Sequence, residues 1–107
     1  MTISEYQALA RRTQNRDLNP EYMLEHATWG LSAEVGEVMG LLQKVRQGHD
    51  FSVDAMKKEI GDCCWFLAEL CDCFGFDLGV ICEENIAKLK ARYPEGFSTE
   101  RSVNRTV

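Results

Sequence analysis

Two pairs of carboxylates lie in the stretches AEVGEVMGLL (residues 33–42) and KKEIGDCCWFL (residues 57–67). The four acidic residues are Glu34, Glu37, Glu59 and Asp62. Within each pair the spacing is three residues, which places both side chains on one face of a helix, about one turn apart. The two stretches therefore predict two helices, each of which presents an acidic pair.

The surroundings of both pairs are mostly apolar. The first pair lies among valines and leucines, and the second lies near Ile60, Trp65 and Phe66. None of the positions four residues after these carboxylates holds a Lys or an Arg. Burying carboxylates on an apolar helix face costs folding free energy unless a cation neutralises their charge. Because all-oxygen ligands favour a hard cation, we predict Mg²⁺, with Mn²⁺ as a substitute, rather than Zn²⁺.

The rest of the sequence predicts further helices and no clear strand. The apolar periodicity and the capping signals, such as Thr2 with Glu5, Asn19 before Pro20, and Gly75, predict helices at about 3–15, 20–46, 53–74 and 78–91. We therefore expect an all-α, antiparallel four-helix bundle. Its helical core covers about residues 3–92, and residues 95–107 are expected to form an extended or loosely ordered tail.

The size and composition indicate one globular domain. A chain of 107 residues with 45% hydrophobic and 27% charged residues fits a single domain, residues 1–107, which buries a modest core. The net charge of −5 disfavours nucleic-acid and anionic-membrane partners. No signal peptide and no membrane-length apolar run is present, so a cytoplasmic location is expected. The five cysteines are predicted to be buried free thiols.

Two other interpretations of the carboxylates are less favoured. A redox dimetal protein would carry Glu-x-x-His pairs, whereas Glu37 and Asp62 stand at the two positions where histidine would be needed. A solvated acidic stripe would not have apolar neighbours around both pairs. Two acidic pairs on helices joined by a short loop would instead face each other across an antiparallel interface.

The order of motifs resembles a known family. The pattern E-x-x-E followed by E-x-x-D, together with the segment from Asn85 to Phe97 (NIAKLKARYPEGF), is similar to the MazG-like branch of the all-α nucleoside triphosphate pyrophosphohydrolases. The matching motifs span about residues 30–97. The resemblance implies a Mg²⁺-dependent enzyme that cleaves a (deoxy)nucleoside triphosphate to the monophosphate and pyrophosphate, in nucleotide-pool housekeeping. It also implies a homodimer or a dimer of dimers with sites at subunit interfaces.

The resemblance and the residues together indicate a set of site residues. Glu34, Glu37, Glu59 and Asp62 are the expected metal ligands, and one of the glutamates could instead act as the general base. The resemblance implies that Lys88 and Arg92 bind phosphate and that Asn85 contacts sugar or phosphate. Lys44 is a weaker candidate for binding phosphate. Trp65 and Trp29 are weaker candidates for stacking on a base, although a helical Trp more often serves in packing.

Two alternative functions remain open at this stage. A phosphoribosyl-ATP pyrophosphohydrolase would share the fold, but the sequence is closer to the MazG-like pattern. A non-catalytic helical module that binds metal or nucleotide belongs to a different class. The complete set of four carboxylates disfavours such a module, because a pure binder has no need of a metal cluster that organises water.

Overall fold

The computed structural model describes residues 1–106, which form five α-helices and no β-strand. The helices are α1 (Ile3–Ala10), α2 (Pro20–Arg46), α3 (Val53–Phe74), α4 (Leu78–Arg92) and α5 (Thr99–Val103). The predicted all-α class is confirmed, and the bounds of α2 and α3 are those that the sequence indicates. None of the helices in the described part of the chain is long and apolar enough to cross a membrane.

The capping signals in the sequence begin and end these helices. The Thr2 hydroxyl oxygen accepts a hydrogen bond from the Glu5 amide at 3.0 Å, and the Asn19 side chain accepts one from Tyr22 at 2.9 Å. Each bond satisfies one of the amides that a helix start leaves without a partner. Gly75 ends α3 with a φ of 70°, in the left-handed region that glycine adopts without steric cost.

The first helix is shorter than the predicted range of 3–15. It ends as an α-helix at Ala10 and continues as a tighter 3-10 helix over Arg11–Thr13. Such a tightened last turn is common at helix ends. Here it allows both Arg11 and Gln14 to reach the carboxylate of Asp72 on α3, at 2.8 and 2.6 Å.

The expectation of an extended or loosely ordered tail at 95–107 was wrong for part of this segment. Residues Thr99–Val103 form α5, and the Ser98 side chain caps it by accepting a hydrogen bond from the Arg101 amide at 3.3 Å. A serine cap can start a helix this short although its sequence has no apolar periodicity. Val107 lies outside the described residues.

Buried polar contacts hold α1 against the turn between α3 and α4. The amide group of Gln7, which is buried, donates to Asp72 at 2.8 Å and to the Phe76 carbonyl at 2.9 Å. Its carbonyl oxygen accepts from the Leu78 amide at 2.8 Å. One side chain thereby satisfies three groups from the end of α3 to the start of α4, which fixes both helices relative to α1.

The main packing of the chain is the antiparallel pair of α2 and α3, against which α1 and α4 are arranged. The pair approaches closely at Gly30, where a Cβ atom would collide with the ring of Phe66. Ala27 and Ala68 are completely buried in the described structure. Small residues thus bring the two helices together and set which side chains face each other across the interface.

The described chain leaves much apolar surface uncovered. Its accessible surface is 8041 Å², whereas a compact monomer of 12.2 kDa exposes about 6,100 Å². The radius of gyration is 17.2 Å, against about 13 Å for a compact domain of this length. Large exposed apolar residues lie on α2 and α3: Trp29, Val35, Met39, Leu42, Val53, Ile60 and Phe74.

Candidate metal centre

Three of the four predicted carboxylates converge between α2 and α3. One oxygen each from Glu34, Glu59 and Asp62 lies within 4.8 Å of the others. Glu34 and Glu59 are half-buried, and Asp62 is exposed. The spacing of three residues on α3 and the antiparallel direction of α2 produce this arrangement, because both acidic faces are turned toward the shared interface.

The electrostatics of the cluster centre on Glu34. A hydrogen bond with Glu59, followed by burial and then by the negative charges of Asp62, Glu59 and Glu37, raises the pKa of Glu34 to about 7. Negative charges held this close disfavour the ionisation of a further carboxylate unless a cation compensates them. The protein alone therefore stabilises this cluster by retaining a proton near neutral pH.

The donor set fits a hard divalent cation. Oε2 of Glu34 is enclosed and has no hydrogen-bond partner in the described structure. A buried polar atom of this kind costs free energy unless a ligand satisfies it. The neighbouring Cys63 is not part of the converging group, and burial and then the charge of Glu34 raise the pKa of its thiol. The oxygen ligands thus favour Mg²⁺ or Mn²⁺ over a thiophilic metal.

Glu37 does not join the group of three. It is exposed on α2, one turn beyond Glu34, and its charge contributes to the raised pKa of Glu34. Its predicted role as a ligand or as a general base stays a prediction. An exposed carboxylate at the edge of the cluster remains accessible to water.

The predicted phosphate-binding residues lie away from this interface. Asn85 and Lys88 are exposed on α4, which packs on α1 and α3. Arg92 is half-buried at the end of α4, with its guanidinium carbon 6.0 Å from the centroid of the Tyr93 ring. Lys44 is exposed near the end of α2. Their roles in binding phosphate stay predictions.

The two tryptophans have different surroundings. Trp29 is exposed over 68% of its surface. Trp65 is half-buried, donates from Nε1 to the Thr13 hydroxyl at 2.8 Å, and contacts the Phe66 ring edge-on at a centroid distance of 5.0 Å. A part in base stacking remains a prediction for both residues.

Sequence reasoning missed a contact between His26 and Glu69. Nδ1 of His26 and Oε1 of Glu69 are 2.6 Å apart, and the Glu69 side chain is almost completely buried. The two residues are 43 positions apart in the chain, so the pair depends on how α2 and α3 are aligned. The position of Glu69 seven residues after Asp62, on the same helix face, was the available signal.

The fold and the carboxylate cluster define a class: an all-α protein with an oxygen-ligand site suited to a hard divalent cation between two antiparallel helices. Residues 24–97 match the family described as the MazG nucleotide pyrophosphohydrolase domain. Because the match covers more than half of the chain, the protein belongs to this family. All three converging carboxylates lie within the matched range.

One similar relative is a phage protein of about the same extent. The chain is 28% identical over 87 residues to the Gene 37 protein of Mycobacterium phage L5, covering 77% of this chain and 76% of that protein. No solved structure gives a significant match. The name of the phage relative carries no activity, so the family assignment rests on the domain match.

Proposed function

We propose that the protein hydrolyses a (deoxy)nucleoside triphosphate to the monophosphate and pyrophosphate, in a Mg²⁺-dependent reaction that serves nucleotide-pool housekeeping. Glu34, Glu59 and Asp62 converge, and Oε2 of Glu34 is enclosed without a hydrogen-bond partner in the described structure. This arrangement carries the proposal. The membership of the nucleotide pyrophosphohydrolase family supports the choice of substrate class.

Different residues of this chain are proposed to have different roles in the reaction. Water attacks the α-phosphorus, and the bond from that atom to the oxygen bridging to the β-phosphorus breaks. Glu34, Glu59 and Asp62 would hold the divalent ion, which supplies charge neutralisation at phosphate oxygens when bound. Exposed Glu37 is proposed to orient the water or accept its proton.

Cationic side chains are proposed to bind the phosphates of the substrate. Lys88 and Arg92 lie one helical turn apart on α4, and Asn85 lies one turn earlier. Lys44 on α2 is a further candidate. Side chains that neutralise phosphate charge favour both binding and departure of pyrophosphate.

We further propose that the active form is a homodimer or a dimer of dimers. The large accessible surface and the exposed apolar residues on α2 and α3 support association. Size-exclusion chromatography with light scattering tests this proposal, and a monomer at micromolar concentration would contradict it.

The experiment that tests the function is pyrophosphate release from a panel of canonical and modified triphosphates, with phosphoribosyl-ATP as a separate substrate. Each reaction is run with Mg²⁺, Mn²⁺ or EDTA. We expect metal-dependent release from at least one triphosphate, and loss of turnover in Glu37→Gln and Glu59→Gln without unfolding. Glu21→Gln, at an exposed position early in α2, is the matched control.

Two results would contradict the proposal. Retained turnover in both variants would refute the assigned site. If the folded protein bound metal but released no pyrophosphate from any triphosphate, a non-catalytic module would be favoured. If it released pyrophosphate from phosphoribosyl-ATP alone, the protein would be assigned to that reaction.

A further inference from the structure

A buried carboxylate and a half-exposed histidine form a pair beside the candidate metal centre. Glu69 exposes only 3% of its side chain, and within residues 1–106 its hydrogen-bond partner is Nδ1 of His26, at 2.6 Å. An ionised carboxylate at such a depth requires a hydrogen-bond donor. When Glu69 is ionised it can only accept, and Nδ1 of His26 is then the donor to it.

Aromatic rings surround the imidazole on the inner side. The centroid of the His26 ring lies 5.5 Å from that of Phe66 and 6.1 Å from that of Trp65. The hydrogen bond from Trp65 Nε1 to Thr13 fixes the indole in turn. His26 nevertheless leaves 45% of its side chain exposed, and its Nε2 forms no hydrogen bond within the described residues.

The pair lies in line with the carboxylate cluster. His26, Gly30 and Glu34 follow one another at intervals of four on α2. Opposite them on α3 stand Glu69, Phe66 and Asp62, so that the interface has three layers. The eight residues from His26 to Glu34 span about 12 Å of helix. This separation is comparable to that between the phosphates of a nucleotide and the far edge of its base.

We infer that His26, oriented by Glu69, binds the polar edge of the nucleobase and thereby determines base specificity. This inference rests on the proposed function. Because Glu69 holds Nδ1, Nε2 is the ring nitrogen left to form a hydrogen bond with a polar group on the base edge. Trp65 and Phe66 supply the apolar wall against which the base lies. Glu69 is a positioning residue, because it acts through His26.

The test separates recognition of the base from binding of the phosphates. Binding is measured with Mg²⁺ for the α,β-imido analogues of the four common deoxynucleoside triphosphates and for inorganic tripolyphosphate, which has no base. The variants are His26→Ala, Glu69→Ala and Glu69→Gln. The matched control is His49→Ala, at the other histidine, which is exposed in the turn between α2 and α3.

We expect His26→Ala to weaken binding of the preferred nucleotide about tenfold, which is the effect of one net hydrogen bond. The four nucleotides should then bind with similar affinities. Binding of tripolyphosphate should not change. Glu69→Ala should reproduce this loss, and Glu69→Gln, which keeps an acceptor oxygen, should restore part of the affinity. His49→Ala should resemble the unmodified protein.

Three results would contradict the inference. An unchanged base ranking in His26→Ala, an equal loss for nucleotide and tripolyphosphate, or a wild-type protein without base preference would overturn the inference. If the protein released no pyrophosphate but bound nucleotides base-selectively, and His26→Ala abolished that selectivity, the proposed hydrolysis would be refuted but recognition of the base by His26 would not. Pyrophosphate release with an unchanged ranking in His26→Ala would refute the inference alone.

Discussion

Helix α3 carries two acidic sites that the protein treats in opposite ways. Asp72, near its end, receives hydrogen bonds from Arg11, Gln14 and Gln7. Asp62, one of the three clustered carboxylates, faces Glu59 and Glu34 instead. The protein therefore neutralises the first site with its own side chains, whereas the second site groups three acidic side chains together. Two carboxylates on one helix thus differ in their partners.

The pKa values of the two sites express the same difference. Burial alone would raise the pKa of Asp72, but the hydrogen bonds from Arg11, Gln14 and Gln7 outweigh it and lower that pKa below its ordinary value of 3.8. The pKa of Glu34 is raised to about 7. Local hydrogen-bond donors stabilise one charge, whereas the second charge still lacks a partner.

The largest expected effect is stabilisation by a divalent cation. A ligand that binds only the folded state at 100 times its Kd adds about 2.7 kcal/mol to the free energy of unfolding. We expect Mg²⁺ or Mn²⁺ to raise that free energy in the unmodified protein and not in Glu34→Gln. Urea unfolding with metal and with EDTA measures this, and an equal effect of metal on both proteins would contradict the assignment.

The next effect is the loss of the internal partner at the other site. Replacement of Asp72 by Ala leaves Arg11, Gln7 and Gln14 without their shared acceptor, so we expect a loss of about 2 kcal/mol in the free energy of unfolding. The stabilisation by metal should be unchanged. If Asp72→Ala also abolished the response to metal, the two sites would not be independent.

The three clustered carboxylates could be predicted from the sequence, and most cross-helix contacts could not. The spacing of Glu34, Glu59 and Asp62, with a short loop between their helices, is local information that fixes their common side. The contacts of Asp72 with Gln7 and of Glu69 with His26 depend on how helices far apart in sequence align. Helical periodicity gives the face of each residue but not its level along the neighbouring helix.

The same distinction explains the errors in the predicted elements. The bounds of α2 and α3 follow from strong local signals at Asn19, Ser52 and Gly75. The early end of α1 depends on contacts made by Arg11 with Asp72, which the local sequence does not contain. The short helix α5 has a single local signal, the cap at Ser98.

Because Glu34 is only half-buried and solvent screens its charge, the smallest expected effect is a pair of opposite pH dependences in metal-free protein. Because the pKa of Glu34 is raised from 4.5 to about 7, its contribution to stability is present below pH 4.5 and is lost as the pH rises toward 7. The contribution of Asp72 is present above its ordinary pKa of 3.8 and is lost as the pH falls below it.

Denaturant unfolding between pH 3 and pH 8 in EDTA measures both dependences. Glu34→Gln should remove the decline in stability between pH 4.5 and 7 and retain the decline in acid. Asp72→Asn should do the reverse. An unchanged decline toward pH 7 in Glu34→Gln would show that another group causes it.

The most direct test of the central claim is titration of the metal-free protein with Mn²⁺ alone, detected by electron paramagnetic resonance. We expect saturable binding by the unmodified protein, an affinity at least about tenfold weaker in Glu59→Gln, and an affinity in Asp72→Asn like that of the unmodified protein. Equal affinity in the unmodified protein and Glu59→Gln, or an equal loss in both variants, would contradict a metal site built by Glu34, Glu59 and Asp62.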